Sequence, residues 1–314
     1  MTLAVPRPRR AARALAGFCA LASAAALAQL KDEPPAERDA MVMASLLPGL
    51  FSNGEQRFFD ERLKVPAAER AAAMKLTVTR VNRPAGAPPL FVFRQANGPT
   101  WAYAATLEAG PAAVQLVAFT VVAGMSDGQL ATGQTVGLTA VPSCNLISRR
   151  EAGQFRATAL GPCAAGPQEL LMTGGSLWWR ASAGRPFARL NRARQFECHV
   201  DMPGSGGIRG EVFNRYADLQ VDDQGTEAWF TTKEAVPRKL GLRLRNVDWP
   251  MNNKAGTFTR DSLTLYLIED SGDGVPRNLT YAWTEPSARR IGLNTVAILA
   301  NCYMEAPTMA KPEF

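Results

Sequence analysis

The stretch Leu46-Leu47-Pro48-Gly49-Leu50-Phe51-Ser52-Asn53-Gly54-Glu55-Gln56 decides how the rest of the chain is read. It is an apolar helical end that breaks at Gly49 and feeds a long series of strands. Upstream, Glu37 to Leu47 is predicted as a helix, with Met41, Ala44 and Leu47 recurring at helical spacing and Pro48 closing it. Downstream, a second short helix or turn is expected near Glu69–Met74, and then the hydrophobic period changes to two. KLTVTRV at 75–81, LFVFRQ at 90–95, TWAYAATL at 100–107 and VQLVAFTVV at 114–122 are rich in β-branched and aromatic residues. Pro/Gly clusters at 84–89, Asn97-Gly98-Pro99 and Gly110-Pro111 punctuate them.

More strands are expected at 145–150, 154–160, 168–174 and 176–181. Short strands with hairpin connections predict an all-β fold, a lipocalin-like antiparallel barrel preceded by a short helix. From about Ala193 the pattern restarts with RQFECHV, passes the Gly-rich Pro203–Gly207, and continues with strands near 227–232, 240–247, 262–269, 278–284 and 295–303. Asp270-Ser271-Gly272-Asp273-Gly274 reads as a hairpin turn. The expected organisation is therefore a signal peptide at 1–28, a flexible leader at 29–36, the barrel at 37–192, a second β-sandwich-like domain at 193–306 and a tail at 307–314.

The signal peptide is read from Arg7, Arg9, Arg10 and Arg13, followed by the apolar run Ala14–Ala28 ending in Ala26-Leu27-Ala28. That run is shorter than the ~20 residues a spanning helix needs, so the mature chain is expected to begin at Gln29, to hold no membrane span, and to be periplasmic or secreted. Cys19 leaves with the leader. Cleavage lowers Lys+Arg from 35 to 31 against 28 Asp+Glu, and the net charge from +7 to +3. No block of five like charges remains, which argues against nucleic acid as a partner.

Cys144, Cys163, Cys198 and Cys302 stay in the mature part. An even count in an exported chain points to disulfides, with three pairings open. Cys144–Cys163 with Cys198–Cys302 is favoured because each bridge then stays within one domain; buried free thiols are the other reading.

His199 is the only histidine. A Ser-His-Asp arrangement would have to use it, yet it sits beside a cysteine in an alternating strand, as a structural residue does. Zinc would need ligands that oxidised cysteines no longer supply, so no metal is expected. The 270–274 turn lacks the ligand series and distal glutamate of a calcium loop.

Three pieces in order and spacing carry a resemblance: the 46–56 stretch, FVFRQA at 91–96, and the Cys144 to Cys163 segment enclosing the hairpin REAGQF. Together they resemble the CpcT/CpeT family of phycobiliprotein chromophore lyases over about residues 40–190. The resemblance implies a lipocalin-like barrel, lyase activity, no required cofactor, a bilin (linear tetrapyrrole) ligand and an acceptor protein. On positions matching the family's first strands it places Gln56, Arg94, Gln95, Trp101 and Tyr103. Arg94 would pair with a propionate, Gln56 and Gln95 would hydrogen-bond pyrrole groups, and Trp101 and Tyr103 would stack on the rings. Read without the family, Trp101 and Tyr103 are packed core on alternate strand positions and Arg94 lies on a solvated face.

The chain departs from the family on polar positions. Arg94-Gln95-Ala96 stands for Glu-Gln-Ala, Trp101-Ala102-Tyr103-Ala104 for Tyr-Arg-Gln-Arg, and Ala164 for the usual Arg, and no Asp-Arg-Gly follows near Trp178-Trp179. Two functions are thus expected in parallel: an exported lyase-like protein holding a bilin in its barrel for a partner, or a non-catalytic binding or scaffold protein that keeps the fold and takes a small hydrophobic ligand or none. A third reading, interaction only, rests on the exposed-looking VDWPMNN at 247–253.

Overall fold

The structure is a computed structural model and describes residues 35–84, 87–96, 98–107, 113–132, 137–164, 166–204, 212–272 and 275–305. The expected signal peptide with Cys19, most of the expected leader, the expected tail, and parts of the 203–207 and 270–274 turns lie outside the described residues.

Helix α1 (Pro35–Leu46) has proline at its start and an acid, Glu37, in its first turn. It begins earlier than expected, so Pro35 and Ala36 of the supposed leader are helical. Ala40, Met43, Ala44 and Leu47 form its apolar stripe, and this stripe enters one end of a barrel.

The barrel strands are β1 (Gly49–Ser52), β2 (Lys75–Val81), β3 (Leu90–Gln95), β4 (Thr100–Leu107), β5 (Val114–Val121), β6 (Leu138–Ala140), β7 (Leu146–Glu151), β8 (Gln154–Ala159), β9 (Glu169–Met172), β10 (Ser176–Arg180) and β11 (Ala188–Ala193). Ten of them close into an antiparallel ring, β1 pairing with both β2 and β11, and β4 with both β3 and β5. β6 pairs with β5 alone. The all-β, lipocalin-like barrel with a short helix before it is thus present. β7 and β8 are the REAGQF hairpin, whose two turn residues, Ala152 and Gly153, have φ of 47° and 83° as a type I′ turn requires.

Two local readings are refined. The segment Gly54–Arg62, left unassigned by periodicity, is a second helix, α2. The short helix or turn expected near Glu69–Met74 is a single 3₁₀ turn at Ala67–Glu69. Beyond it Asn53 keeps the chain extended: its Nδ2 donates to the Ala72 carbonyl at 2.7 Å and its Oδ1 accepts from Met74 N–H at 2.8 Å.

The remaining strands are β12 (Gln195–Pro203), β13 (Phe213–Asp222), β14 (Gln224–Thr231), β15 (Lys239–Asn253), β16 (Gly256–Glu269), β17 (Arg277–Thr284), β18 (Arg290–Asn294) and β19 (Leu299–Met304). They form two four-stranded sheets, β13-β12-β19-β18 and β14-β15-β16-β17. Phe196, Val200, Val221 and Ala300 of the first face Leu242, Leu244, Leu263 and Leu265 of the second in one core, which is a β-sandwich. The strand expected at 295–303 begins only at Leu299, because Thr295 Oγ1 accepts from Ala297 and Ile298 N–H and turns the chain there, after β18.

Cys144 bonds Cys163, and Cys198 bonds Cys302 across directly opposed positions of β12 and β19. No described helix is long and apolar enough to cross a membrane.

One residue, Arg194, separates β11 of the barrel from β12 of the sandwich. Its backbone N–H and Nε donate to the two oxygens of Asp223 at 2.9 and 2.6 Å, and its terminal nitrogens donate to the carbonyls of Ala288 and Pro286. α2 lies against the outside of the second sheet: the guanidinium carbon of Arg245 is 3.7 Å from the centre of the Phe58 ring. A Cβ on Gly54 would meet the Gln224 carbonyl oxygen at 2.7 Å, and that oxygen is backbone.

Gly54→Ala should therefore lower stability by about 1–3 kcal/mol, against the gain that alanine gives an ordinary helix. Urea unfolding of wild type and variant measures this, and a stabilised variant would mean that α2 is not seated on the sandwich. Non-reducing peptide mapping should recover both disulfides. Losing Cys198–Cys302, which closes a separation of 104 residues, should cost more than losing Cys144–Cys163, which closes 19.

Candidate functional site

Strand alternation sorts the expected site residues onto different faces. Phe91, Phe93, Trp101 and Tyr103 point into the barrel, while Val92, Ala102 and Ala104 belong to the apolar layer outside it. Trp101 and Tyr103 are brought together: the ring of Phe93 lies 6.0 Å from that of Trp101 and 5.3 Å from that of Tyr103, and Trp179 is 4.9 Å from Trp101.

Arg94 is on the other face. It donates to Thr79 Oγ1 at 3.0 Å and pairs with Asp127 at 2.5 Å. Asp127 opens α3 (Asp127–Ala131), a short helix held by a capping box between Ser126 and Gln129 and anchored by buried Leu130 on the outer layer. Gln56 sits on α2 outside the barrel; its Nε2 donates to the Phe187 carbonyl at 3.1 Å and its Oε1 accepts from Arg189 N–H at 2.7 Å. Gln95 ends β3, with its side chain against Gly98 in the turn to β4. The five residues therefore do not line one cavity. Only Trp101 and Tyr103 meet.

The barrel interior is filled. Every strand of the ring contributes at least one buried apolar side chain to a single cluster, from Phe51 on β1 to Leu190 on β11, and Met43 and Leu47 of α1 plug the end. The cavity bounded by Trp101, Tyr103, Ala118, Val141, Cys144 and Gly166 measures about 10 Å³, room for about one water. Burial pushes the Tyr103 hydroxyl far above the ordinary tyrosine range. The Trp101 indole N–H is buried beside this void without a hydrogen-bond partner among the described residues.

His199 lies partly buried on β12, stacked at 6.1 Å on Tyr303, with Nε2 3.9 Å from Asp201. Asp201 is held by Arg215 in two hydrogen bonds of 2.8 and 2.9 Å, which keep its carboxyl below the usual range. Asp270 accepts from Lys239 and from Gly272 N–H, while Asp273 and Gly274 lie outside the described residues. Among the described residues, no three His, Cys, Asp or Glu side chains cluster as a metal site would. VDWPMNN is part of β15; Trp249 donates to Ser262 Oγ at 2.8 Å and stacks on Tyr281 at 5.7 Å.

No family model matches the chain, and no curated protein matches it either.

What the sequence could not reveal is the polar junction between the two domains. Lys75 donates to Gln195 at 2.6 Å and lies 3.4 Å from Asp222, and Asn191 donates to Glu55 and Gln224. Burial raises the carboxyl pKa of Asp222, with Lys75 opposing, and burial likewise raises Glu55. Only the run Asp222-Asp223-Gln224, polar inside a strand pattern, hinted at this.

Trp101→Ala should cost about 3–5 kcal/mol, as truncation of a buried aromatic does. Arg94→Ala, which breaks a pair about one-third and two-fifths exposed, should cost no more than about 1 kcal/mol. Chemical denaturation of both variants checks the two against each other, and a larger loss for Arg94 would reverse the inside and outside assigned to β3.

Proposed function

We propose that this protein is an exported, non-catalytic binding or scaffold protein, which keeps a chromophore-lyase-like barrel as a solid body that carries the sandwich. The observation supporting this is the filled barrel. A pocket for a drug-sized molecule takes roughly 300–1,000 Å³, and the void beside Trp101 offers about 10 Å³. Opening a larger one would require removing packed aromatics at several kcal/mol each. Export is supported by the arginine-rich start and by two disulfides, which persist in oxidising compartments.

A second reading, a bilin-binding relative of the CpcT/CpeT lyases with an acceptor protein, is favoured by one specific feature. The closed ring, the helix before it and the hairpin under Cys144–Cys163 are the arrangement that the resemblance implies. In that reading the unpartnered Trp101 N–H would meet a ligand carbonyl.

Titration of the full chain with a bilin, read by absorption, separates the two. Under the first reading no spectral shift appears at micromolar bilin. A saturable shift that Trp101→Ala abolishes and Arg94→Ala keeps would establish the second. N-terminal sequencing of the native protein should begin at Gln29, and an intact Met1 in the cytosol would overturn export.

A further inference from the structure

Outside the barrel, alongside α2, two adjoining depressions of about 260 and 310 Å³ share Asp60 and Arg185 in their walls. Arginines converge on them from distant parts of the chain: Arg57 from α2, Arg70 from beyond the 3₁₀ turn, Arg180 from β10, Arg185 from the turn after it, and Arg189 from β11. The walls carry two carboxylates, Asp60 and Glu69, against these five cations.

Two of the arginines lie over aromatic rings, Arg180 half-buried and Arg189 exposed. The guanidinium carbon of Arg180 lies 4.0 Å from the Phe187 ring centre and that of Arg189 lies 5.3 Å from Trp178, and the two rings are 6.0 Å apart. The order in space is cation, ring, ring and cation, with the two rings tilted 53° to one another. Gln56 locks the strand beneath it through Phe187 and Arg189. Arg180 gives one terminal nitrogen to Glu169 at 3.0 Å, while its buried Nε has no hydrogen-bond partner among the described residues. Arg57 is engaged by Glu61, and Arg70 Nε by the Val65 carbonyl. Among the described residues, neither Arg185 nor Arg189 forms a salt bridge.

Stacking leaves the in-plane N–H edge of a guanidinium open, and that edge matches a carboxylate or phosphate in two parallel bonds. Arg57 and Arg180 have acids of their own, whereas Arg70, Arg185 and Arg189 form no salt bridge among the described residues, and an anion between them removes their mutual repulsion. Arg185 stands where the two depressions meet, so cationic groups line both. We propose that this groove is a binding site for a small oxyanion with at least two phosphate, sulfate or carboxylate groups, one for each depression. The site is independent of the barrel interior and of any bilin.

The test is calorimetric titration of the full chain at low salt with inorganic pyrophosphate, with citrate and with sulfate, so that the three chemistries are compared directly. At least one of the first two should bind saturably, with about tenfold or more weakening in Arg189→Ala and in Arg185→Ala, and sulfate should bind more weakly than either. Both side chains are exposed, so thermal unfolding should confirm that the variants stay folded. Arg189→Lys keeps the charge but loses the planar fork, and should also weaken binding. The proposal is overturned if neither pyrophosphate nor citrate binds, if the alanine variants bind as the wild type does, or if Arg189→Lys binds unchanged, which would reduce the groove to diffuse positive charge.

Discussion

Four residues, Gly49 to Ser52, close the barrel. β1 is the shared neighbour of β2 and β11, and without it both would present unpaired backbone edges. Its placement depends on Arg192, whose terminal nitrogens donate to the carbonyls of Leu46 and Pro48 at 2.6 and 2.7 Å while its guanidinium lies over the Phe51 ring at 4.8 Å. One side chain thus satisfies carbonyls at the end of α1, fixes the turn into β1 and covers the residue that β1 sends inward. Gly49 follows from the same contact: its φ is 150°, and a Cβ there would lie 2.3 Å from an Arg192 nitrogen.

The sandwich is tied to that closure. β11, which completes the ring, runs through Arg194 directly into β12, so Arg192, which holds the barrel closure, and Arg194, which grips Asp223 of the sandwich, sit two residues apart. The cost is buried charge. Asp222 is fully buried and Asp223 nearly so, and such groups are tolerated where partners satisfy them. For Asp222 the raised pKa means the folded state favours the protonated form. Its contribution is complete below the ordinary aspartate value and declines as pH rises through the folded one. The junction trades some stability at neutral pH for a fixed relation between barrel and sandwich.

The fold was legible where side chains alternate over six or more residues, as in KLTVTRV, in short apolar runs such as LFVFRQ, and where glycine and proline marked turns. It was not legible where tertiary contacts override local pattern. GEQRFFDER shows no helical stripe, because Phe58 lies under arginines from the sandwich rather than in its own domain's core. β1 is too short to show a period, and ARLNRA alternates apolar residues with arginine and asparagine whose partners lie elsewhere in the chain. The candidate site fared similarly. Alternation in β3 and β4 correctly pairs Trp101 with Tyr103, and it equally sends Arg94 outward next to Asp127, away from them.

A solid barrel places function on its surface. Interior side chains that exclude all but about one water leave recognition to groups held rigidly outside, and rigid elements hold such groups better than loops do. The cluster of cations and rings at β10 and the start of β11 has that character: Trp178 and Arg180 face outward on the same strand whose Leu177 and Trp179 fill the core. The alternation that packs the interior therefore also spaces the exterior rings and guanidiniums two residues apart, and Gln56 ties them to the helix that seats the second domain.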